Sequence, residues 1–261
     1  MLRVENISCG YKEKAILNNL SFEFKSKKMT GIIGPNGSGK TTLLRAITKV
    51  LPLLEGKIVL DGKDIQLMSY RDIAQYIAVA NSGMEVQFDI SVEDFVALGR
   101  IPHQHPLQFF ENAHDQEIIE QALRLTETLS FRKRPLVHLS AGERQMAIIA
   151  KALAQEPRLL LLDEPVVHLD IFHQKYILDL ISRLHIEQNL SVIIVLHELN
   201  LAAEYCDELI LLDQGMVFTA GTPQEVISKK IIETIYKTKV VVAKNPASGK
   251  PCVFIAKKEK S

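Results

Sequence analysis

Apolar and polar positions alternate in the first thirty residues. Leu17, Leu20, Phe22 and Phe24 fall at or near two-residue spacing with polar residues between them, which predicts half-buried strands. A buried strand is expected at Met29–Ile33, running into a glycine-rich turn. Lys40–Val50 holds no Gly or Pro and predicts a helix. Gly56–Leu60 reads as a short strand closed by an Asp61-Gly62 turn. The pattern then changes. From Ser91 to Gln155 helical spacing dominates, over Val92–Leu98, Gln116–Leu129 and Gln145–Leu153. Strands return at Leu159–Leu162, Val192–Leu196 and Leu209–Leu212, with a helix near His173–His185 between the first two. Strands separated by helices predict a mostly parallel sheet. The all-apolar runs Leu159–Leu162 and Val192–Leu196 suit strands covered on both faces. The tail predicts a helix from Pro223 to about Tyr236. A hairpin of Val240–Val242 and Cys252–Ala256 follows, around the turn Asn245-Pro-Ala-Ser-Gly-Lys-Pro251.

The class is therefore α/β, with an antiparallel N-terminal β subdomain beside a mostly parallel core. The expected core covers residues 1–81 and 157–221. An inserted helical subdomain covers 82–156, and a C-terminal helix and hairpin cover 222–261.

Composition narrows the classes of function. The 261 residues are 47% hydrophobic, ample for one compact unit. Lys plus Arg and Asp plus Glu both total 31, a balance without the basic footprint of a nucleic-acid binder, so no nucleic-acid partner is expected. The three cysteines, Cys9, Cys206 and Cys252, are scattered, which predicts reduced thiols rather than a disulfide framework or zinc site. No apolar run approaches the roughly 20 residues of a membrane span. The N-terminus lacks a signal peptide's apolar core. If the chain works at a membrane, another protein must hold it there. His103 and His105 stand two apart in an expected surface loop with no third ligand in view, so no metal is expected on them.

Gly34-Pro35-Asn36-Gly37-Ser38-Gly39-Lys40-Thr41 matches G-x-x-x-x-G-K-[ST], with a predicted strand before it and a helix after it. Glycines permit the backbone conformations in which successive N–H groups converge on phosphate oxygens. The following helix turns its positive end to the same anion. Lys40 would neutralise β- and γ-phosphates and the Thr41 hydroxyl would bind Mg²⁺, with Thr42 near the α-phosphate. Taken alone, the motif also reads as a plain strand-to-helix turn. Leu159-Leu-Leu-Leu-Asp163-Glu164-Pro165 ends an apolar strand in two acids, at the strand end where open α/β sheets bind ligands. Asp163 would approach Mg²⁺, through water, and Glu164 would polarise an attacking water. The plainer reading is two acids that end a strand and open a solvated loop.

With Leu139-Ser140-Ala141-Gly142-Glu143-Arg144-Gln145 preceding that strand, the chain resembles the ABC ATPase family. That run is similar to the family's signature. His168-Leu169-Asp170 resembles its D-loop, His197 its switch histidine, and Tyr11 the aromatic residue that stacks on adenine. The motifs stand in the family's order along most of the chain. Each alone has a plainer reading. Ser140 and Glu143 form a capping box, Asp170 is a helix N-cap, His197 ends a strand and Tyr11 packs on one. The resemblance implies ATP hydrolysis by a homodimer, in which Ser140, Ala141, Gly142 and Glu143 of one subunit close the nucleotide held by the other. It implies that His197 contacts the γ-phosphate and that Asp170 links the two sites.

Within the family, Val96-Ala-Leu-Gly-Arg100-Ile-Pro-His103, Leu169-Asp-Ile-Phe-His173-Gln174, His197-Glu-Leu-Asn-Leu-Ala-Ala203 and the C-terminal turn resemble importer ATPases for iron–siderophore, haem or cobalamin. That implies a separate transmembrane permease, a periplasmic or extracellular substrate-binding protein, and a peripheral position on the cytoplasmic face of the membrane. An importer for a metal ion or oxyanion and a soluble non-transport ABC ATPase remain alternatives, as does a P-loop kinase. A kinase would lack the signature and the switch histidine.

Three positions depart from the family pattern. Aligning Ile77-Ala-Val-Ala-Asn81 with the loop that normally carries glutamine puts Asn81 there, shorter by one methylene, about 1.5 Å of reach. Gln87 is close by. Ala141 replaces a glycine, at small cost in a helix and larger cost at positive φ. Val166-Val167 replaces a hydroxyl-bearing pair, which predicts fewer polar contacts near the D-loop.

Overall fold

The computed structural model describes residues 2–12, 14–81, 89–104 and 112–256. In chain order the elements are β1 (Leu2–Tyr11), β2 (Lys14–Phe24), β3 (Met29–Ile33), α1 (Lys40–Ile47), β4 (Leu53–Leu60), β5 (Lys63–Asp64), α2 (Tyr70–Tyr76) and β6 (Ile77–Asn81). Next come α3 (Val92–Ala97), α4 (Ala113–Leu125), α5 (Ala141–Ala154), β7 (Leu159–Asp163), α6 (Ile171–Glu187), β8 (Ser191–Val195) and α7 (Leu199–Tyr205). The chain closes with β9 (Glu208–Asp213), β10 (Met216–Gly221), α8 (Pro223–Val226), α9 (Lys229–Tyr236), β11 (Val240–Lys244) and β12 (Pro251–Ile255). Contacts divide it into two compact units, Met1–Leu67 with Val192–Ser261, and Met68–Ser191.

The first unit holds an antiparallel sheet in the order β2-β1-β4-β5. The alternation expected there is real: Leu2, Val4, Ile7 and Cys9 are buried along β1, and Leu17, Leu20 and Phe24 along β2. The expected strand at Gly56–Leu60 begins earlier, at Leu53, because Gly56 at φ 77° carries β4 past β1, where a Cβ would stand 2.3 Å from the Asn6 carbonyl oxygen. Asp61 and Gly62 both take positive φ (45° and 83°), the geometry of a tight turn between β4 and β5. In the same unit β3 lies parallel to both β8 and β9, and β10 pairs antiparallel with β9. All five residues of β3 and of β8 are buried. Gly31 lets Cys206 approach β3, since a Cβ there would lie 2.8 Å from its sulfur. Burial pushes the Cys206 thiol up to about 12, so it stays protonated and inert.

The C-terminal hairpin of β11 and β12 docks on α7. Asn200 Nδ2 donates to the Val253 carbonyl at 3.2 Å, and its Oδ1 accepts from the Val253 N–H at 2.7 Å. Glu204 accepts from Ser248 Oγ at 2.7 Å. The tail helix expected over Pro223–Tyr236 is two helices. Ser228 interrupts it by capping α9, its hydroxyl accepting from Ile231 N.

In the second unit β6 and β7 run parallel, in register from Ile77↔Leu159 to Asn81↔Asp163. Helices α3, α4 and α5 lie in the stretch assigned to the helical insertion, and α3 continues as a 3₁₀ segment, Leu98–His103. Arg100 ties them together. It is 2% exposed, with Nε 2.8 Å from Asp115 Oδ1, and Nη1 2.7 Å from the Ala154 carbonyl and 2.8 Å from Glu156 Oε2. His103 Nε2 lies 2.9 Å from the Gln155 carbonyl oxygen. Gln87, His105 and the Lys257–Lys260 run lie outside the described residues.

Removing one partner of a buried ion pair leaves the other charge uncompensated. Asp115→Ala is expected to destabilise the chain by about 3 kcal/mol, the low end for such a loss because Glu156 still faces Arg100. Denaturant titration followed by circular dichroism measures it, and an unchanged midpoint would contradict the role given to this pair.

Candidate functional site

In the first unit, β3 delivers the chain into the glycine loop. Gly34 takes φ 148°, and a Cβ there would stand 2.2 Å from the Leu212 carbonyl oxygen, so no larger residue fits. Gly37 (φ 79°) faces open space, leaving the loop's concave backbone uncovered on that side. Gly39, at φ 103°, is the N-cap of α1. It offers no side-chain cap, and the first turn of α1 holds no acid. The first intrahelical bond runs from Leu43 N to the Gly39 carbonyl. A helix start without cap or carboxylate keeps its positive end for an anion.

Lys40, 6% exposed, folds its ammonium back over the loop, 2.9 Å from the Gly34 carbonyl and 3.1 Å from that of Pro35. Ser38 N donates to the Pro35 carbonyl at 3.2 Å, which tightens the turn. Asn36 is exposed at the crest. Thr41 is half-buried and Thr42 buried in the first turn of α1. Tyr11 ends β1 with its ring partly exposed. Its hydroxyl accepts from Arg45 Nη1 at 2.8 Å, and that guanidinium lies 5.9 Å from the ring centroid. His197 is exposed two residues beyond β8, the parallel neighbour of β3, so it shares with the loop the carboxyl edge of one sheet. On the other side of the loop, burial raises the Tyr236 phenol to about 12, with the Gly34 N–H opposing that rise.

In the second unit, Asp163 ends β7 at 8% exposure and stands in register beside Asn81, the last residue of β6. Two hard oxygen-bearing side chains thus meet at one sheet edge. Glu164 follows at φ 54° and His168 at φ 63°, both left-handed. That conformation costs a non-glycine residue about 1 kcal/mol or more, and turn residues such as Lys27 and Lys49 share it. The sequence carried no sign of it. Val166 is buried where a hydroxyl was the family norm, and the backbone takes over the polar role there: its carbonyl accepts from Leu169 N at 3.4 Å and Gln174 Nε2 at 3.4 Å.

Ser140 caps α5. Its Oγ accepts from Glu143 N at 3.3 Å, while Glu143 Oε2 accepts from Ser140 N at 2.8 Å. That backbone N–H, with Arg134 beside it, holds the Glu143 carboxyl below the usual range. Ala141 opens α5 in helical geometry, so its methyl costs little. Asp170 caps α6, and Oδ1 accepts from His173 N at 2.9 Å and lies 2.8 Å from His173 Nδ1. The plainer capping readings of Ser140 and Asp170 therefore hold as local structure, and the Ser140 hydroxyl also bonds the Glu143 carboxylate. Sequence reasoning missed two side chains. Arg45 engages Tyr11, and His173 lies against Gly142. The signal for His173 was its spacing, three residues into the helix that Asp170 caps.

In the first unit the glycine cradle and the start of α1 suit phosphate, and Thr41 is a hard oxygen donor of the class Mg²⁺ takes; in the second unit Asp163 is another donor of that class. Among the described residues no helix is long and apolar enough to cross a membrane.

Comparison with known proteins agrees. Residues 17–167 match the ABC transporter family. The chain is 37% identical over 252 residues to the ferric enterobactin transport ATP-binding protein FepC of Escherichia coli, covering 97% of this chain and 93% of that one. It is 38% identical over 240 residues to the petrobactin import ATP-binding protein FpuC of Bacillus anthracis (92% and 88%). It is 37% identical over 250 residues to the iron(3+)-hydroxamate import ATP-binding protein FhuC of Bacillus subtilis (96% and 93%). Against the Bacillus subtilis ABC transporter ATP-binding protein YvrA, also 37% identical, it spans 58% of that protein's length. Among solved structures, an inward-facing metal-chelate type ABC transporter superposes with a TM-score of 0.85 at 26% identity, covering 98% of both chains. The ADP conformation of the cassette MJ1267 gives 0.82 at 25%, covering 91% of this chain and 98% of that one. The chain thus belongs to the ABC transporter family, as an ATP-hydrolysing cassette.

Proposed function

We propose that this chain energises uptake of an iron chelate, working as a homodimer on the cytoplasmic face of a membrane against a separate permease. An extracellular or periplasmic binding protein would hand the cargo to that permease. The observation that carries the reading is the likeness, over nearly the whole chain, to ATP-binding proteins named for ferric enterobactin, petrobactin and iron(3+)-hydroxamate.

In this reading ATP lies along the glycine loop with its adenine against Tyr11. Backbone N–H groups of Gly37–Thr42 and the start of α1 hold the phosphates, and Lys40 neutralises them. Thr41 and Asp163 would hold Mg²⁺, the latter through water, and a bound Mg²⁺ supplies charge neutralisation. Glu164 orients and polarises the attacking water, Asn81 positions it, and His197 hydrogen-bonds the γ-phosphate. A second subunit closes the exposed side. Its Ser140 supplies a hydroxyl, its Gly142 gives an N–H, and α5 adds its positive end. ATP favours the closed pair and hydrolysis releases it.

Glu164→Gln is expected to bind ATP and dimerise, yet to hydrolyse at least about 100-fold more slowly. Phosphate release and size-exclusion chromatography with ATP read both, and normal turnover would remove Glu164 from its role. In mixed dimers, Ser140→Arg on one subunit should silence the site of the other. Single-turnover counts showing independent sites would contradict the shared arrangement. Asn81→Ala should lower both ATPase rate and transport, and unchanged values would sink the role given to Asn81. Cargo is tested by co-purifying the permease and measuring vesicle uptake of ferric siderophores, haem and cobalamin. ATP-driven uptake of the ferric chelates is expected, and uptake of haem or cobalamin alone would overturn the cargo.

A further inference from the structure

The signature and the D-loop lie on different helices, and His173 joins them. Its Nδ1 lies 2.8 Å from Asp170 Oδ1, the same oxygen that accepts from its own backbone N–H at 2.9 Å. The backbone N–H of His173 is the first cause holding the Asp170 carboxyl below the usual range. An ionised carboxylate only accepts, so Nδ1 carries the hydrogen and the ring orientation is fixed. The far edge of the ring rests on Gly142. A Cβ at 142 would stand 2.4 Å from His173 Cδ2, 3.0 Å from Nε2 and 3.1 Å from Cγ. Gly142 is buried, and at this spacing only glycine admits the ring. Phe172 braces the imidazole edge-on, 5.3 Å between centroids at 87°. The ring thus spans the first turns of α5 and α6.

We propose that His173 is a positioning residue that couples the D-loop to the signature within one chain. The proposal rests on the reading that Gly142 serves the partner's nucleotide and that Asp170 links the two sites. A shift of Asp170 moves the ring, and the ring moves the Gly142 backbone, whose N–H meets phosphate. Through this contact, hydrolysis at one site changes phosphate capture at the other. The side chain of His173 is 40% exposed and that of Asp170 65% exposed, so little of the fold's stability depends on the link.

The test uses the intact chain with His173→Ala, His173→Asn and His173→Phe. Asparagine keeps a donor near the position of Nδ1 and loses the ring. Phenylalanine keeps a ring and loses the donor. All three should lower kcat about tenfold, the scale of an allosteric coupling, and flatten the Hill coefficient for ATP. KM for ATP and the thermal midpoint should stay at wild-type values. The link is overturned if His173→Ala keeps wild-type kcat and Hill coefficient. It is equally overturned if Asn or Phe restores them, or if the loss follows a lowered thermal midpoint. Failure of the underlying dimer reading looks different: the wild-type chain itself then shows no cooperativity, and Ser140→Arg in mixed dimers leaves the partner site untouched.

Discussion

Backbone N–H groups at the start of a helix must find acceptors, and the three functional helices solve this in different ways. At α5 and α6 the chain answers with its own side chains, Ser140 with Glu143 at one and Asp170 at the other. At α1 it supplies none. Gly39 caps it without a side chain and no acid sits in the first turn. A side-chain cap there would occupy N–H groups that α1 leaves for another acceptor. Lys40 folds over the same loop, its ammonium donating to the Gly34 and Pro35 carbonyls.

The sheets set where these groups stand. Strands β3, β7 and β8 are buried at every position and almost wholly apolar, with Thr30 in β3 and Ser191 at the start of β8 the polar exceptions before the strands end. In the first unit β3 ends in the glycine loop, and β8 is followed by His197. In the second, β6 and β7 end together on Asn81 and Asp163. Past β7 the chain must turn within a few residues to start α6. It does so through left-handed Glu164 and His168, placing the strain on the acid assigned to water. The hairpin on α7 belongs to the same logic. Asn200 treats Val253 as a strand partner, and so fixes the helix that starts two residues beyond His197.

Legibility followed the range of the interactions. Alternation along β1 and β2, the apolar runs of β3, β7 and β8, and the glycine loop are local patterns and could be read directly. The capping roles of Ser140 and Asp170 were equally visible, because a cap acts over three residues. Boundaries set by competition were harder. Ser228 divides the tail helix because a serine hydroxyl can satisfy a new helix start, and periodicity alone does not register that choice. Gly56 lengthens β4 only because β1 lies alongside it. The link from His173 to Gly142 needs two helices, thirty-one positions apart at the points of contact, to converge, and no local pattern encodes that.

The departures from the family pattern are best judged by what surrounds each. Ala141 occupies a helical position, so the glycine it replaces was not required there for its φ. Gly142, one residue on, is also helical, yet a methyl would meet the imidazole of His173. Two adjacent residues of the signature thus differ in tolerance for a reason of packing rather than of backbone conformation. Asn81 is a third case. It loses a methylene but stays in register with Asp163 through five parallel pairs, Ile77 to Asn81 against Leu159 to Asp163. A side chain anchored at the end of a buried strand has little freedom to make up lost length by sliding. The amide still offers one acceptor and two donors, so the substitution shortens the side chain and keeps its hydrogen-bonding groups.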